Sequence, residues 1–401
     1  MNQRDRPAPP SPTPLAAGLT RRRLIGRLAA AGLSAPAIAS ILRDSAWAQE
    51  ATPTAEEALA ALGKDPRLIR HGSTTFETPP DLLGESFFTP NDRFFIRSNG
   101  PVSIDIPKEE WRLAVTGLVE NELDLSFADL EAMEPRTITA FIACSGNGRG
   151  LFPETPAVVE GTKWGNGAIG NAEWTGVALI DILDQAGVQP GAVDVVSQGG
   201  DFPEMQRGLP IEVASDPDVM LVWRMNGEEL PAPSGGPVRL LVPGWGGIAS
   251  TKWIVGLEVI DRPFAGPFNS ESYVIVDESG AVVRPVREMP VSSVITTPLP
   301  DAELAAGSVT IGGFAWSGYG GIERVEVSTD DGATWTEAPI VEEAGPLSWV
   351  RFEVPWEATS GPAVLQSRAY DQRGLTQPVE TDWNAKGYLQ NAVYRVPVTV
   401  G

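Results

Sequence analysis

The sequence predicts an α+β domain followed by an all-β sandwich of the immunoglobulin type. With 401 residues the chain exceeds one ordinary hydrophobic core, so two domains are expected. Between about residues 87 and 260, short strand patterns mix with a few helical ones, and no regular βαβ alternation appears. From about Val286 onward only strand patterns occur.

In the first domain, 76–285, the clearest patterns predict strands at 111–115, 136–142 and 238–242 and helices at 127–131 and 179–185. In the second, 286–401, alternating patterns predict strands at 308–316, 322–329, 334–339, 348–354, 361–371 and 392–400. Asp330, Asp331 and Gly332 form a hairpin turn signal, because glycine supplies the positive φ. Strands at this density indicate a sandwich, and no cysteine pair is present to staple it.

Residues 1–48 are predicted to be a twin-arginine export signal. Arg21 and Arg22 precede an alanine-rich apolar stretch at 28–42, which leads to the small-x-small sequence Ala46-Trp47-Ala48. A basic amphipathic helix is the alternative, and the apolar stretch is too short to predict a membrane anchor. We therefore expect a periplasmic or other extracytoplasmic protein that is exported folded. Residues 49–75 are predicted to be a polar leader with one short helix at 55–62.

The net charge is strongly negative. It is −22 for the whole chain and would be −27 after removal of residues 1–48, which carry seven arginines and two aspartates. So acidic a surface argues against nucleic acid or an anionic membrane as partner. It favours a basic redox partner, although a solvated acidic surface explains it equally well.

Cys144 is the only cysteine, so the chain cannot build an intramolecular disulfide, a zinc cage or an iron–sulfur cluster by itself. A single thiol can be an inert buried side chain, a nucleophile or one thiolate ligand to a metal cofactor. A strand pattern ends at Cys144, and turn-forming residues and Arg149 follow. This arrangement favours a thiolate at an open site beside a positive charge.

His71, the only histidine, lies in the predicted leader, where a surface position is expected. Serine–histidine and cysteine–histidine hydrolase mechanisms therefore lack their base. Covalent c-type haem, which needs two cysteines and a histidine, is also excluded. Electrons from any redox reaction must leave through another protein.

Five sequence blocks, in order, resemble the sulfite oxidase family of molybdenum enzymes. They are FFIRSNG (94–100), CSGNGR (144–149), GAIGNAEWTG (167–176), a discontinuous block from Met225 to Trp253, and WNAKGY (383–388). The resemblance implies a molybdopterin-binding catalytic domain followed by a dimerisation domain. It also implies one molybdenum–molybdopterin per chain and a homodimer. No haem is expected, since the sequence shows neither a c-type haem motif nor the cytochrome b5-like domain of the family's animal members.

The resemblance assigns roles to individual residues. Cys144 matches the family's thiolate ligand to molybdenum. Substrate-pocket positions are matched by Arg97, Arg149, Trp164, Tyr273 and Lys386. Cofactor-binding positions are matched by Arg239 and Lys252, with Asp201 and Thr251 as weaker candidates. Asn99 and Ser234 stand where many members have histidine, so these two side chains or water would replace the histidine hydrogen bonds to the pterin.

The function implied is oxidation of sulfite to sulfate, with electrons passed to a separate cytochrome. A second possibility within the family is sulfane dehydrogenation on a carrier-bound sulfur, and a third is reduction of a substrate such as a sulfoxide. From another class, a cofactor-free binding or scaffold protein would explain the two missing histidines.

Overall fold

The computed structural model describes residues 54–154, 157–277 and 279–401, and the predicted export signal lies outside them. No helix in these ranges is both long and apolar enough to span a bilayer. The helices, in chain order, are α1 Ala55–Ala61, α2 Pro80–Gly84, α3 Phe127–Glu131, α4 Leu179–Ala186, α5 Ile211–Ala214 and α6 Pro267–Ser270.

The strands of the first domain, in chain order, are β1 Ile69–Arg70, β2 Thr75–Glu77, β3 Ile96–Arg97, β4 Arg112–Gly117, β5 Leu123–Ser126, β6 Arg136–Ala143, β7 Ile169–Ala178, β8 Asp194–Gly199, β9 Gln206–Pro210, β10 Met220–Met225, β11 Glu228–Glu229, β12 Arg239–Leu241, β13 Ile254–Ile260, β14 Val274–Val276 and β15 Val282–Pro285. The order β5-β4-β13-β8-β9 makes one sheet, in which only β4 and β13 run parallel. A second sheet has the order β11-β10-β7-β6, with β12 also paired to β10. This mixed arrangement confirms the α+β prediction.

The main core of this domain is formed by the apolar faces of these sheets and of α3 and α4. It includes Trp111, Leu130, Ile182, Leu221 and Leu257, each at most 2% exposed. The predicted helix at 127–131 is confirmed, and its first turn has a capping box. The Ser126 hydroxyl accepts from the Asp129 amide while the Asp129 carboxylate accepts from the Ser126 amide.

The second domain contains β16 Ser292–Thr297, β17 Ala302–Leu304, β18 Gly307–Trp316, β19 Ile322–Ser328, β20 Thr336–Ala338, β21 Ile340–Glu343, β22 Val350–Ala358, β23 Gly361–Asp371 and β24 Arg395–Val400. The sheets β16-β18-β22-β21 and β17-β24-β23-β19-β20 pack face to face around a buried apolar cluster. The sandwich prediction is thus confirmed, including the hairpin turn with positive φ at Asp331 and Gly332.

A third apolar cluster joins the two domains. Phe141, Ile169 and Tyr273 of the first domain pack with Phe314 and Trp349 of the second. The rings of Phe314 and Trp349 stack at 4.1 Å, and the Trp349 indole donates to the Phe87 carbonyl at 2.9 Å. Because this cluster includes the end of β6, the sandwich packs directly against the strand that leads to Cys144.

Residues 54–75, expected to be a polar leader, pack against the domain. Leu59 and Leu68 are buried with Phe76 and Ile96, and β1 pairs with β2. Lys64 is 5% exposed and donates to the carbonyls of Asn91 and Phe94. The segment therefore supports β3, which carries Arg97.

Candidate active site

Cys144 follows β6 directly and is 7% exposed. Its amide donates to the Ala168 carbonyl at 2.8 Å, and its own carbonyl accepts from the Asn147 amide at 2.8 Å. The side chain packs with Trp164 and Ala168. The thiol is therefore held at a fixed place by backbone hydrogen bonds on both sides.

Two pockets meet at Cys144, Arg97 and Tyr273, which line both. We call the pocket lined by Arg239 and Lys252 the inner pocket, and the pocket lined by Arg149 and Lys386 the outer pocket. All seven predicted cofactor residues line the inner pocket: Asn99, Cys144, Asp201, Ser234, Arg239, Thr251 and Lys252. Four of the five predicted substrate residues line the outer one: Arg97, Arg149, Tyr273 and Lys386. The fold therefore gathers residues that are up to 289 positions apart along the sequence.

The inner pocket contains two cations, the buried Arg239 and the partly buried Lys252, that have no carboxylate within ion-pair distance among the described residues. Arg239 donates to the carbonyls of Ser234 at 2.7 Å and Ser250 at 2.8 Å. Lys252 donates to the Ser98 hydroxyl and, at 3.1 Å, to the Pro233 carbonyl. Burial lowers the pKa of Arg239 to about 9. Burial, followed by repulsion from Arg239, lowers the pKa of Lys252 well below its usual value.

Such a pocket suits a bound phosphate, because a phosphate would supply the missing negative charge and restore the pKa of both cations. Two further polar atoms are buried without a hydrogen-bond partner, Asp201 Oδ1 and Ser145 Oγ. Burial raises the pKa of Asp201. The residues present therefore fit a polar cofactor with an anionic end, as the resemblance to molybdopterin enzymes implies. Thr251 is the weakest of the set, since its hydroxyl is already paired with that of Ser197 at 2.7 Å.

Where the two pockets meet, Asn99 of the inner pocket joins Arg97 to Tyr273. Its side-chain oxygen accepts from Arg97 Nη2 at 2.6 Å and from the Tyr273 hydroxyl at 3.2 Å. Tyr273 has φ of 52°, a left-handed conformation that is unusual for a large side chain. Its ring stacks on Tyr388 at 5.4 Å.

Arg149 holds a loop of the sandwich domain in place. It is 7% exposed, its Nε donates to the carbonyls of Lys386 at 3.0 Å and Gly387 at 3.2 Å, and its guanidinium lies over the Tyr388 ring. Leu389 and Ser145 add another backbone hydrogen bond at 2.9 Å. The loop at 383–390 thereby brings Lys386 and Tyr388 to the outer pocket.

The structure places Trp164 elsewhere than predicted: it is fully buried behind Cys144 and lines neither pocket. His71 is an exposed residue, as expected, although its side chain is only partly accessible. Its side chain is 19% exposed, its Nε2 lies 2.5 Å from Glu77, and its ring contacts Trp164 at 5.1 Å. Two site residues were not predicted: Tyr388, which ends the WNAKGY block and lines the outer pocket, and Ser98, which lies within FFIRSNG and lines the inner pocket.

Comparison with known proteins gives concordant results. Residues 99–268 match the family described as "Oxidoreductase molybdopterin binding domain", and residues 283–401 match "Mo-co oxidoreductase dimerisation domain". Mitochondrial sulfite oxidase of Drosophila melanogaster is 33% identical over 81% of this chain, which spans 61% of that relative's length. Sulfite oxidase of Arabidopsis thaliana is 32% identical over 81% of this chain and 91% of its own. The crystal structure of the sulfane dehydrogenase SoxCD from Paracoccus pantotrophus superposes with a TM-score of 0.74 at 32% identity, covering 89% of this chain and 95% of that one.

Proposed function

The chain belongs to the sulfite oxidase family of molybdenum oxidoreductases, and within that family we propose that it is an exported enzyme oxidising sulfite to sulfate. Sulfite and water become sulfate, two protons and two electrons, and the electrons pass to a separate cytochrome. The observation that carries the proposal is the outer pocket. Three cations, Arg97, Arg149 and Lys386, line it with one carboxylate, Glu160, and none of the three is in a salt bridge among the described residues.

Each group has a part in this reaction. Cys144 Sγ would bind the metal, and Arg239 and Lys252 would hold the anionic end of the pterin. The bound molybdenum cofactor would supply oxygen-atom transfer and accept the two electrons. Arg97 donates hydrogen bonds to Ser98 and Asn99, and its guanidinium has further N–H groups. Those further N–H groups can orient a small oxyanion beside Cys144. The Tyr273 hydroxyl, held by Asn99, can exchange a proton at the same place.

A second substrate has a specific observation in its favour. The solved structure that superposes over 95% of its length is that of a sulfane dehydrogenase. Oxidation of a carrier-bound sulfur would use the same thiolate and cations with a substrate that reaches in from a partner protein. The cofactor-free binding protein has less support, because a buried cation without a carboxylate partner, such as Arg239, is costly unless an anion joins it.

The first experiment is to measure molybdenum per chain, by mass spectrometry of metals, on protein exported with its own signal and on Cys144→Ser. About one atom per chain in the wild type, and far less in the variant, is expected. Turnover is then compared between free sulfite and a carrier protein bearing a sulfane sulfur, with cytochrome c as acceptor. Activity on the carrier alone would replace the first substrate with the second, and a chain without molybdenum would refute both.

A further inference from the structure

The buried carboxylate of Glu77, at the end of β2, accepts hydrogen bonds from a glycine-rich loop beside the site. Glu77 is 3% exposed. Its Oε2 accepts from the Gly165 amide and its Oε1 from the Gly167 amide, both at 2.9 Å. A Cβ at either glycine would clash. At Gly165 it would lie 2.7 Å from Glu77 Oε1, and at Gly167 it would lie 1.7 Å from the Thr78 carbonyl oxygen. Only glycine lets the backbone approach the carboxylate this closely.

The same loop holds the segment that carries the thiol. Four hydrogen bonds join residues 164–168 to residues 144–150: Cys144 amide to Ala168 carbonyl, Gly148 amide to Gly165 carbonyl, Gly150 amide to Trp164 carbonyl, and Ala168 amide to the Asn147 side chain, at 2.7–2.9 Å. Trp164 packs against Cys144 from behind. Movement of the loop would therefore move both the backbone and the packing of the thiol.

His71 completes the chain of contacts from outside. Its Nε2 lies 2.5 Å from Glu77 Oε2, and its ring meets the Trp164 ring edge-on at 5.1 Å. Because the carboxylate accepts, His71 Nε2 must carry the hydrogen. Both His71 and Glu77 precede the region that matches the molybdopterin-binding family model, which begins at residue 99.

We propose that His71 and Glu77 are positioning residues that hold the loop at 163–168, and through it fix Cys144 at the junction of the two pockets. The functional meaning rests on the proposed function, in which Cys144 binds the metal. The placement of the thiol is a property of the chain itself and can be measured without metal.

The test uses the single thiol. Full-length chain, produced in a host that makes no molybdenum cofactor, is reacted with fluorescein maleimide, and the labelling rate of Cys144 is measured. Glu77→Gln leaves one acceptor oxygen in place of the two that bind the Gly165 and Gly167 amides. His71→Phe keeps an aromatic ring beside Trp164 but removes the nitrogen that donates to Glu77. Each should speed labelling about tenfold, since loss of a charge-assisted hydrogen bond favours local opening by about that factor. His71→Gln restores a donor nitrogen and should label at nearly the wild-type rate.

Asp371→Asn is the matched control. Asp371 is also fully buried, and it accepts from Ser317 and from the Arg373 and Leu375 amides in the sandwich domain. It should lower the melting temperature without changing the labelling rate. Wild-type rates in both Glu77→Gln and His71→Phe, or equal acceleration in Asp371→Asn, would overturn the proposal. A chain that takes up no molybdenum would refute the proposed function and leave these rates unaffected.

Discussion

Replacing Arg149 with lysine should detach the sandwich loop that forms one wall of the outer pocket. The guanidinium makes three hydrogen bonds to carbonyls: Nε to Lys386 and Gly387, at 3.0 and 3.2 Å, and Nη1 to Thr162 at 3.3 Å. It fits beside Gly146, Gly161 and Gly387, at each of which a Cβ would come within 3 Å of Arg149. A lysine side chain ends in one nitrogen and lacks the planar guanidinium. It therefore cannot donate to the Thr162 carbonyl and to the Lys386 and Gly387 carbonyls at the same time.

The expected cost follows from those contacts. A hydrogen bond from a charged donor contributes about 1.5–3 kcal/mol, so losing two would cost about 3–6 kcal/mol. The carbonyls adjoin a pocket that water can enter, which places the expected loss near the lower end, at about 3 kcal/mol. Arg97→Lys is the matched control. Within the described part of the chain, Arg97 donates hydrogen bonds only to its neighbours Ser98 and Asn99, so its replacement should cost below about 1 kcal/mol.

Both variants are compared by urea unfolding and by sulfite kinetics. Arg149→Lys should lower the free energy of unfolding and also lower kcat, because Lys386 and Tyr388 move with the detached loop. Arg97→Lys should raise KM with little effect on stability. If Arg149→Lys unfolded like the wild type and raised KM as Arg97→Lys does, Arg149 would be a direct substrate ligand and the reasoning from its carbonyl contacts would fail.

Three further predictions follow from other parts of the structure. Arg97→Gln should weaken sulfite binding at least tenfold while molybdenum per chain stays near the wild-type value; equal loss of both would mean that Arg97 is structural. Burial, opposed by Asp92, lowers the pKa of Lys64 from 10.5 to about 7, so between these values the unfolded chain binds more protons than the folded one. Stability should therefore rise with pH across that range, by up to roughly 1.4 kcal/mol per unit. In urea unfolding at pH 7 and 9, Lys64→Met should lose this increment, and an unchanged increment would contradict the assignment. Light scattering should give a dimer for the protein without residues 1–48 and a monomer for a chain ending at Arg284; a full-length monomer would exclude dimerisation through the sandwich.

Local sequence patterns were sufficient where a strand has one buried and one exposed face. The predicted 392–400 strand contains β24, whose residues alternate strictly between exposed and buried. The 361–371 pattern became β23 with the predicted bounds, although several consecutive residues of it are buried. β16 was missed because five of its six residues are buried, which removes the alternation, and β17 was missed because it has only three residues. Both strands are defined by their partners more than by their own sequence.

For the site, the sequence predicted the residues but not their contacts. Motifs in the sequence predicted which residues gather at Cys144, and all but Trp164 line one of the two pockets. They could not show what each side chain contacts. The carbonyl acceptors of Arg149 lie up to 238 residues away, and backbone acceptors carry no signal in the side-chain sequence. The exposed position of His71 was expected, but its contact with Glu77 was not, since Glu77 is itself fixed by amides 88 and 90 residues further on.

Asn99 shows how a departure from the family pattern can be built into this site. As a cofactor ligand it would offer its side chain to the pterin, but its oxygen already accepts from Arg97 and Tyr273. An amide keeps that acceptor at every pH, whereas a histidine loses its acceptor on gaining a proton near pH ~6.5. Asn99→His should therefore make KM for sulfite rise as the pH falls from 8 to 5.5, relative to the wild type. Parallel profiles for the two proteins would mean that Asn99 does not organise Arg97 and Tyr273, and its side chain would then be available to the pterin.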